Sequence, residues 1–250
     1  MPDAKRRSFA RRPTRISAHF IMVTLVLASG LLRAAPPPAI VKGKVVGWEK
    51  VSPQVYAEAA KNDARHYTWR EPSPTVKQEF RRLSANVSRD FCVAAFSSAA
   101  PQAHEPLAIK VTGGRMTPAT VVLSPGSRLS FRNLDPFPHV FFESGNDKWA
   151  PNPTGPGSTR EWAASAPGLH EIHDQLFPSV VMYVVVDPGV VEFAFPDRDG
   201  FFSMSLPQGE YTLRAFFDGK QVGKEASAVR VGERGFVELR EPLLVGGDSK

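Results

Sequence analysis

The chain has a single cysteine in 250 residues, Cys92, so no internal disulfide can form and the fold must rest on packing alone. It also lacks a solid apolar run of the ~20 residues that a membrane-spanning helix needs. Its longest apolar stretch, Ile16 to Leu32, is interrupted by Ser17, His19, Thr24, Ser29 and Gly30. No period of 20 to 50 residues recurs, which excludes solenoids and propellers. Net positive charge is confined to the first 35 residues. Those hold seven of the 31 basic residues and one of the 25 acidic ones, leaving 24 of each. The sequence pI of about 9.6 therefore reports the leader. Nothing beyond it forms the basic stripe of a nucleic-acid binder.

What is present begins with an address. Lys5, Arg6, Arg7, Arg11, Arg12 and Arg15 precede the apolar stretch, and small residues Ala34 and Ala35 stand before Pro36-Pro37-Pro38. This is the layout of a secretory signal peptide over residues 1–35, and it implies a periplasmic or secreted protein. Arg6-Arg7-Ser8-Phe9 carries part of a twin-arginine signal. Membrane contact is expected only if the leader stays uncleaved.

The remaining chain, roughly 215 residues, is long enough for two modules. Strand signals dominate it. Ile40 to Trp48 alternates with period two, and Leu107 to Val111, Thr120 to Leu123, Ser127 to Phe131, Val140 to Glu143 and Ser179 to Val186 are short apolar runs between Pro and Gly turns. The pattern predicts an all-β sandwich architecture. Thr75 to Leu83, with Val76, Phe80 and Leu83 at helical spacing, is the best helix candidate. Asn146 to Ser158, rich in Pro, Gly and Asn, is expected to be a long loop. Cys92 lies in the apolar run Phe91 to Phe96 and is expected to be a buried small hydrophobe.

Three histidines are the chemically informative residues: His139 after Asp135-Pro136-Phe137-Pro138, and the close pair His170 and His173. One distant and two adjacent imidazoles on a β scaffold have the spacing of a metal site, and imidazole suits copper, zinc, iron and nickel. Asp135, Glu143, Glu171 and Asp174 are near enough in sequence to orient the rings. His19, His66 and His104 are assigned no role. His170-Glu171-Ile172-His173 is one residue short of the helical zinc motif and is bracketed by Pro167-Gly168 and Pro178. Asp197-Arg198-Asp199-Gly200 starts like a calcium loop, but Gln208 stands at the twelfth position, so a tight hairpin turn is expected instead.

Val121 to His139, with Ser124-Pro125-Gly126, Phe131-Arg132-Asn133 and then His139, resembles the first half of a plastocyanin-like cupredoxin. Gly168 to Leu176, followed by Met182 to Val186, is similar to that family's closing Cys-x-x-His-x-x-Met loop and last strand. The resemblance covers about residues 105 to 187 and implies a Greek-key β-sandwich with a copper site. It places His139 and His173 on ligand positions, His170 where the family has its cysteine, and Leu176 where it has its axial methionine. Without a thiolate the blue-copper electron-transfer site is not expected. A three-histidine site for copper, with zinc as the alternative, is.

Asp197 to Phe202, then Leu206-Pro207-Gln208-Gly209-Glu210-Tyr211-Thr212-Leu213, is similar to the carboxypeptidase regulatory-like domain, a transthyretin-like β-sandwich. Its expected opening Gly-x-Val-x-Gly strand is matched only by Gly43 to Gly47. The organisation expected is therefore a signal peptide over 1–35, N-terminal strands and a connecting helix over 36–104, a cupredoxin-like domain over 105–188 and a smaller sandwich over 189–250. The N-terminal strands either complete the last module or stand in tandem with it. Three functions follow: an exported copper-binding protein using His139, His170 and His173; a metal-free β-sandwich that binds or scaffolds an envelope protein partner; and, ranked last, a metal-dependent enzyme. No catalytic residue is assigned, an enzyme is not expected, and no nucleic-acid partner is expected.

Overall fold

In a half-buried strand alternate residues face the core, so the burial pattern shows how each segment packs. The computed structural model describes residues 37–51, 85–98, 105–177, 180–232 and 235–246. The expected signal peptide over 1–35, His19, His66, His104 and the helix expected over Thr75 to Leu83 lie outside the described residues. No described helix is long and apolar enough to cross a membrane.

The middle of the chain forms one sandwich. Its first sheet has the order β4 (Met116–Thr117), β3 (Leu107–Val111), β6 (Arg128–Asn133), β9 (Thr159–Ala163). Its second has the order β5 (Thr120–Leu123), β11 (Val181–Val186), β10 (Gly168–Asp174), β7 (His139–Glu143), β8 (Asn152–Thr154). The β3–β6 and β5–β11 pairs are parallel and the others antiparallel. Period-two patterning fills the space between the sheets. In β6, Arg128 and Arg132 face out while Leu129, Phe131 and Asn133 are buried. Leu129 and Phe131 meet Ile109, Phe141, Ile172 and Met182 in the core.

The second sandwich takes strands from both sides of the first. β1 (Ala39–Val46) runs antiparallel to β13 (Phe201–Leu206) and parallel to β16 (Phe236–Glu238) and β17 (Leu243–Leu244). β2 (Phe91–Phe96) lies between β12 (Val190–Ala194) and β14 (Gly209–Phe217), with β15 (Lys220–Val231) beyond. The Gly-x-Val-x-Gly signature has a steric cause. A Cβ on Gly43 would stand 2.5 Å from Leu239 Cδ1 and 2.6 Å from Phe202 Cζ.

All six residues of β2 are buried, because the strand is covered on both faces. Phe91, Val93 and Ala95 face the second sandwich's core. Cys92, Ala94 and Phe96 join Val122, Val190 and Phe216 in an apolar seam. This explains the continuous hydrophobic run. The same burial pushes the Cys92 thiol up to about 12, against the opposing effect of a backbone hydrogen bond at Val122. The seam ties the sandwiches together, helped by the Asp218 N–H donating to Thr120 Oγ1 at 3.1 Å.

Three sequence expectations need correction. The stretch Asn146 to Ser158 holds a 3₁₀ turn, Asp147–Trp149, and the short edge strand β8. The Asp-Gly turn does not close a hairpin: β12 and β13 belong to different sheets, and the turn carries the chain between them. Its local chemistry is as expected, with Asp197 Oδ1 accepting from the N–H groups of Asp199 and Phe201, both at 2.9 Å. Third, Gly168 to Asp174 is a strand paired along its length with β11 instead of a loop.

The Gly43 contact makes a direct test of β1's role. Gly43→Val is expected to destabilise the protein by about 1 to 3 kcal/mol, the usual cost of overpacking a core. Equilibrium urea denaturation measures it, and a stability within error of wild type would mean that β1 is not clamped between Phe202 and Leu239.

Candidate functional site

Strands β7 and β10 carry the three histidines, and their register decides what those residues can do. The antiparallel pairing sets Ile172 opposite Glu143 and Asp174 opposite Phe141. Alternation turns His139, Phe141 and Glu143 of β7 inward, and puts His170, Ile172 and Asp174 of β10 on the same inner side. Diagonal neighbours across such a pair touch. His139 thus meets Asp174 at one end of the two strands, and Glu143 meets His170 at the other.

His139 is wholly buried. Its Nδ1 contacts Asp174 Oδ2 and its Nε2 lies 3.1 Å from Asp135 Oδ2. Phe141 stacks parallel to the ring at 5.4 Å, and Phe137 and Phe177 stand at 5.2 Å on tilted planes. A neutral imidazole donates from one nitrogen only, whereas the imidazolium donates from both. Two carboxylates facing the two nitrogens are therefore satisfied together by the imidazolium. A charged group inside a protein persists when it is paired and hydrogen-bonded in this way.

The flanking carboxylates are held as firmly. Asp135 Oδ1 and Oδ2 accept the N–H groups of Gly113 at 2.6 Å and Gly114 at 3.0 Å. Both glycines have positive φ, 59° and 65°, as the tight two-residue turn between β3 and β4 requires. Burial pushes the Asp135 carboxyl up, but the Gly114 and Gly113 amides and His139 together outweigh it and hold the group below its ordinary value. Asp174 Oδ1 accepts from the N–H groups of Val140 at 3.2 Å and Leu176 at 2.9 Å. Asn133 shapes the loop that presents His139: its Nδ2 donates to Phe137 O at 2.8 Å and Thr154 O at 2.9 Å, and its Oδ1 accepts the Asp135 N–H at 2.8 Å.

At the opposite end, His170 Nδ1 lies 2.6 Å from Glu143 Oε1, and its Nε2 2.9 Å from Ala166 O. Glu143 Oε2 accepts from Trp162 Nε1 at 2.6 Å and Asn146 Nδ2 at 2.7 Å. Burial raises this carboxyl too, yet hydrogen bonds from Trp162, His170 and Asn146 bring it net below its usual value. His173 is on the other face of β10, with Nε2 3.2 Å from Glu171 Oε2 and its ring against Phe142 at 5.6 Å.

The structure does not bring the three histidines together. Extending the register places His139 and His170 six residues apart along the strand direction, roughly 20 Å at ~3.3 Å per residue. Ligands of one ion must each reach it at about 2 Å. His170 and His173, three apart on a strand, face opposite sides of the sheet. Among the described residues no group of three or more His, Cys, Asp or Glu side chains could hold a metal ion. The residue that meets His139 is Asp174, not His170. Asp135, Glu143, Glu171 and Asp174, read from the sequence as orienting groups, do each contact an imidazole.

Solved structures similar to this chain are cupredoxins. A Cu(I) form of an amicyanin variant matches at 15% identity, covering 38% of this chain and 99% of that one, with a TM-score of 0.31. A purple cupredoxin from Nitrosopumilus maritimus matches at 19% identity over 32% of this chain and 99% of that one, with a TM-score of 0.28. A copper-containing nitrite reductase from Thermus scotoductus matches at 18% identity over 37% of this chain and 25% of that one, with a TM-score of 0.29. No protein-family model and no curated protein matches the chain. Copper does not fit the side chains as they stand. Both nitrogens of His139 already face carboxylate oxygens, and the other two histidines lie out of its reach.

Removing the buried ring should leave two uncompensated carboxylates. His139→Ala is expected to cost about 3 to 5 kcal/mol of stability, as breaking a buried ion pair does; His173→Ala, on the outer face, should cost under about 1 kcal/mol. Chemical denaturation of the two variants checks the contrast, and equal losses would count against the interior role of His139. The pH dependence has a definite sign. Asp135 and Glu143 titrate lower in the fold than in the unfolded chain, so the unfolded state takes up protons first on acidification. Their contribution to stability is complete above about pH 5 and is lost as pH falls through their folded values. Melting curves of wild type and Asp135→Asn across that range test it: the variant should be less stable near neutrality and show a flatter acid limb.

Proposed function

We propose that this protein is an exported, metal-free cupredoxin-like module that acts by binding a partner in the cell envelope, and not by catalysis or copper chemistry. The observation that carries the reading is the buried Asp135, His139, Asp174 cluster. The histidine that the family resemblance implies as first copper ligand is engaged at both ring nitrogens by carboxylates and closed off by phenylalanines. A copper or zinc ligand must offer a neutral imidazole with a free lone pair. His139 offers none.

The leader supports export to the periplasm or beyond. The strands on either side of residues 105–188 share sheets with one another, which suits a carboxypeptidase regulatory-like sandwich into which the cupredoxin-like unit is inserted. In this reading the second module is a support that presents the first, and binding surfaces take the place of a reaction centre.

Calorimetric titration of the exported protein with Cu(II) and Zn(II) tests the reading. No one-equivalent complex that depends on the histidines is expected, and His170→Gln and His173→Gln should titrate like wild type. One equivalent of metal bound by wild type and lost in both variants would restore the three-histidine copper site. These two side chains are at least partly accessible, so loss of binding in their variants would not reduce to loss of the fold.

A further inference from the structure

Seven large hydrophobic side chains are exposed among the described residues, and four of them, Ile40, Phe201, Phe236 and Leu244, belong to one sheet of the second sandwich. Alternation explains their position. Val41 and Val45 of β1 and Phe202, Met204 and Leu206 of β13 turn into the core, so Ile40 and Phe201 must turn out. Ile40 pairs with Phe236, and Lys44 with Phe201, so these residues cover one side of neighbouring strands. Phe201 is 53% exposed, Phe236 50% and Leu244 52%, each about half open to solvent on a sheet surface. Large contiguous apolar patches on a soluble protein mark interaction sites.

The polar residues between them indicate the partner's chemistry. Lys42 and Lys44 project from the same side of β1, their ammonium groups 5.5 Å from the Phe236 ring centre and 4.5 Å from that of Phe201. The only carboxylate among the residues these strands turn outward is Glu238, opposite Lys42. Half-exposed aromatic and aliphatic side chains interleaved with lysines are what an interfacial membrane contact uses: the apolar groups enter the headgroup boundary while the ammonium groups meet anionic lipid. In sequence, β1 is the first described strand after the expected leader, whose apolar stretch ends at Leu32, seven residues before Ala39.

We propose that this outer face, formed by β13, β1 and β16 with Leu244 at its end, docks peripherally on an anionic lipid surface. It lies on the second sandwich and is independent of His139, so it stands or falls apart from the metal-free reading. Docking would hold the module at the membrane whether or not the leader is removed.

A cysteine introduced at Ser203, in the middle of the face, and labelled with a polarity-sensitive fluorophore reads this contact in the full-length protein; Cys92 is buried and stays unlabelled. A second labelled variant at Lys110, exposed on the other sandwich, is the control. With phosphatidylcholine vesicles containing phosphatidylglycerol, the label at 203 should shift to the blue while that at 110 does not. Phosphatidylcholine alone should leave both unchanged. Adding Phe201→Ser and Phe236→Ser to the Ser203→Cys protein should raise the vesicle concentration needed for half of the shift about tenfold. The proposal is overturned if the 203 label stays silent, if both labels respond alike, or if the phenylalanine substitutions change nothing. It is also overturned if a soluble acidic polysaccharide produces the same shift without vesicles.

Discussion

A buried imidazole between two carboxylates is the contact on which the rest of the first sandwich depends. Asp135 carries the contact to the β3–β4 turn through Gly113 and Gly114, and Asp174 carries it to the start of β7 and the end of β10 through Val140 and Leu176. Asn133, with no exposed surface, closes the same network by joining β6, the following loop and β8. One ring thereby fastens strand ends and loops that are distant in sequence. Every polar atom of the cluster has a partner, and an incomplete version would be worse than an apolar core.

The second constraint is the double burial of β2. A strand covered on both faces can carry neither a charged side chain nor a polar alternation, and Phe91 to Phe96 has neither. Its two sides serve different cores, one with Phe217 and Leu213, the other with Val122 and Phe216. That seam packs the two sandwiches against each other, and it leaves the opposite sheet of the second sandwich, with β1 inside it, facing solvent. The same alternation that fills the core with Val41, Val45 and Met204 places phenylalanine and lysine outside.

Much of this fold was legible in the sequence because period-two patterning and Pro-Gly turns are local signals. β3 and β5 lie where the pattern set them, and the all-β class follows from composition and spacing together. The short edge strand β8 was not legible, since Asn152-Pro153-Thr154 has no strand pattern and is ordered by pairing with β7. The candidate site was legible in its parts list but not in its geometry. The histidines and their four carboxylates are visible as residue types close in sequence. Which ring meets which carboxylate depends on the β7–β10 register, and reading Gly168 to Asp174 as a loop brought His170 and His173 to one side. As a strand, the same residues alternate, and Asp174, four residues beyond His170, takes the place facing His139.

The account's central claim is that His139 is fixed inside the fold by a carboxylate at each ring nitrogen and is not available as a metal ligand. Nitrogen-15 NMR of the histidine rings in the intact protein, recorded near neutral pH before and after adding one equivalent of Zn(II), tests it most directly. The account predicts that both His139 nitrogens carry protons and that neither signal moves on adding zinc. A His139 ring with one unprotonated nitrogen that shifts together with those of His170 and His173 at one equivalent would contradict it.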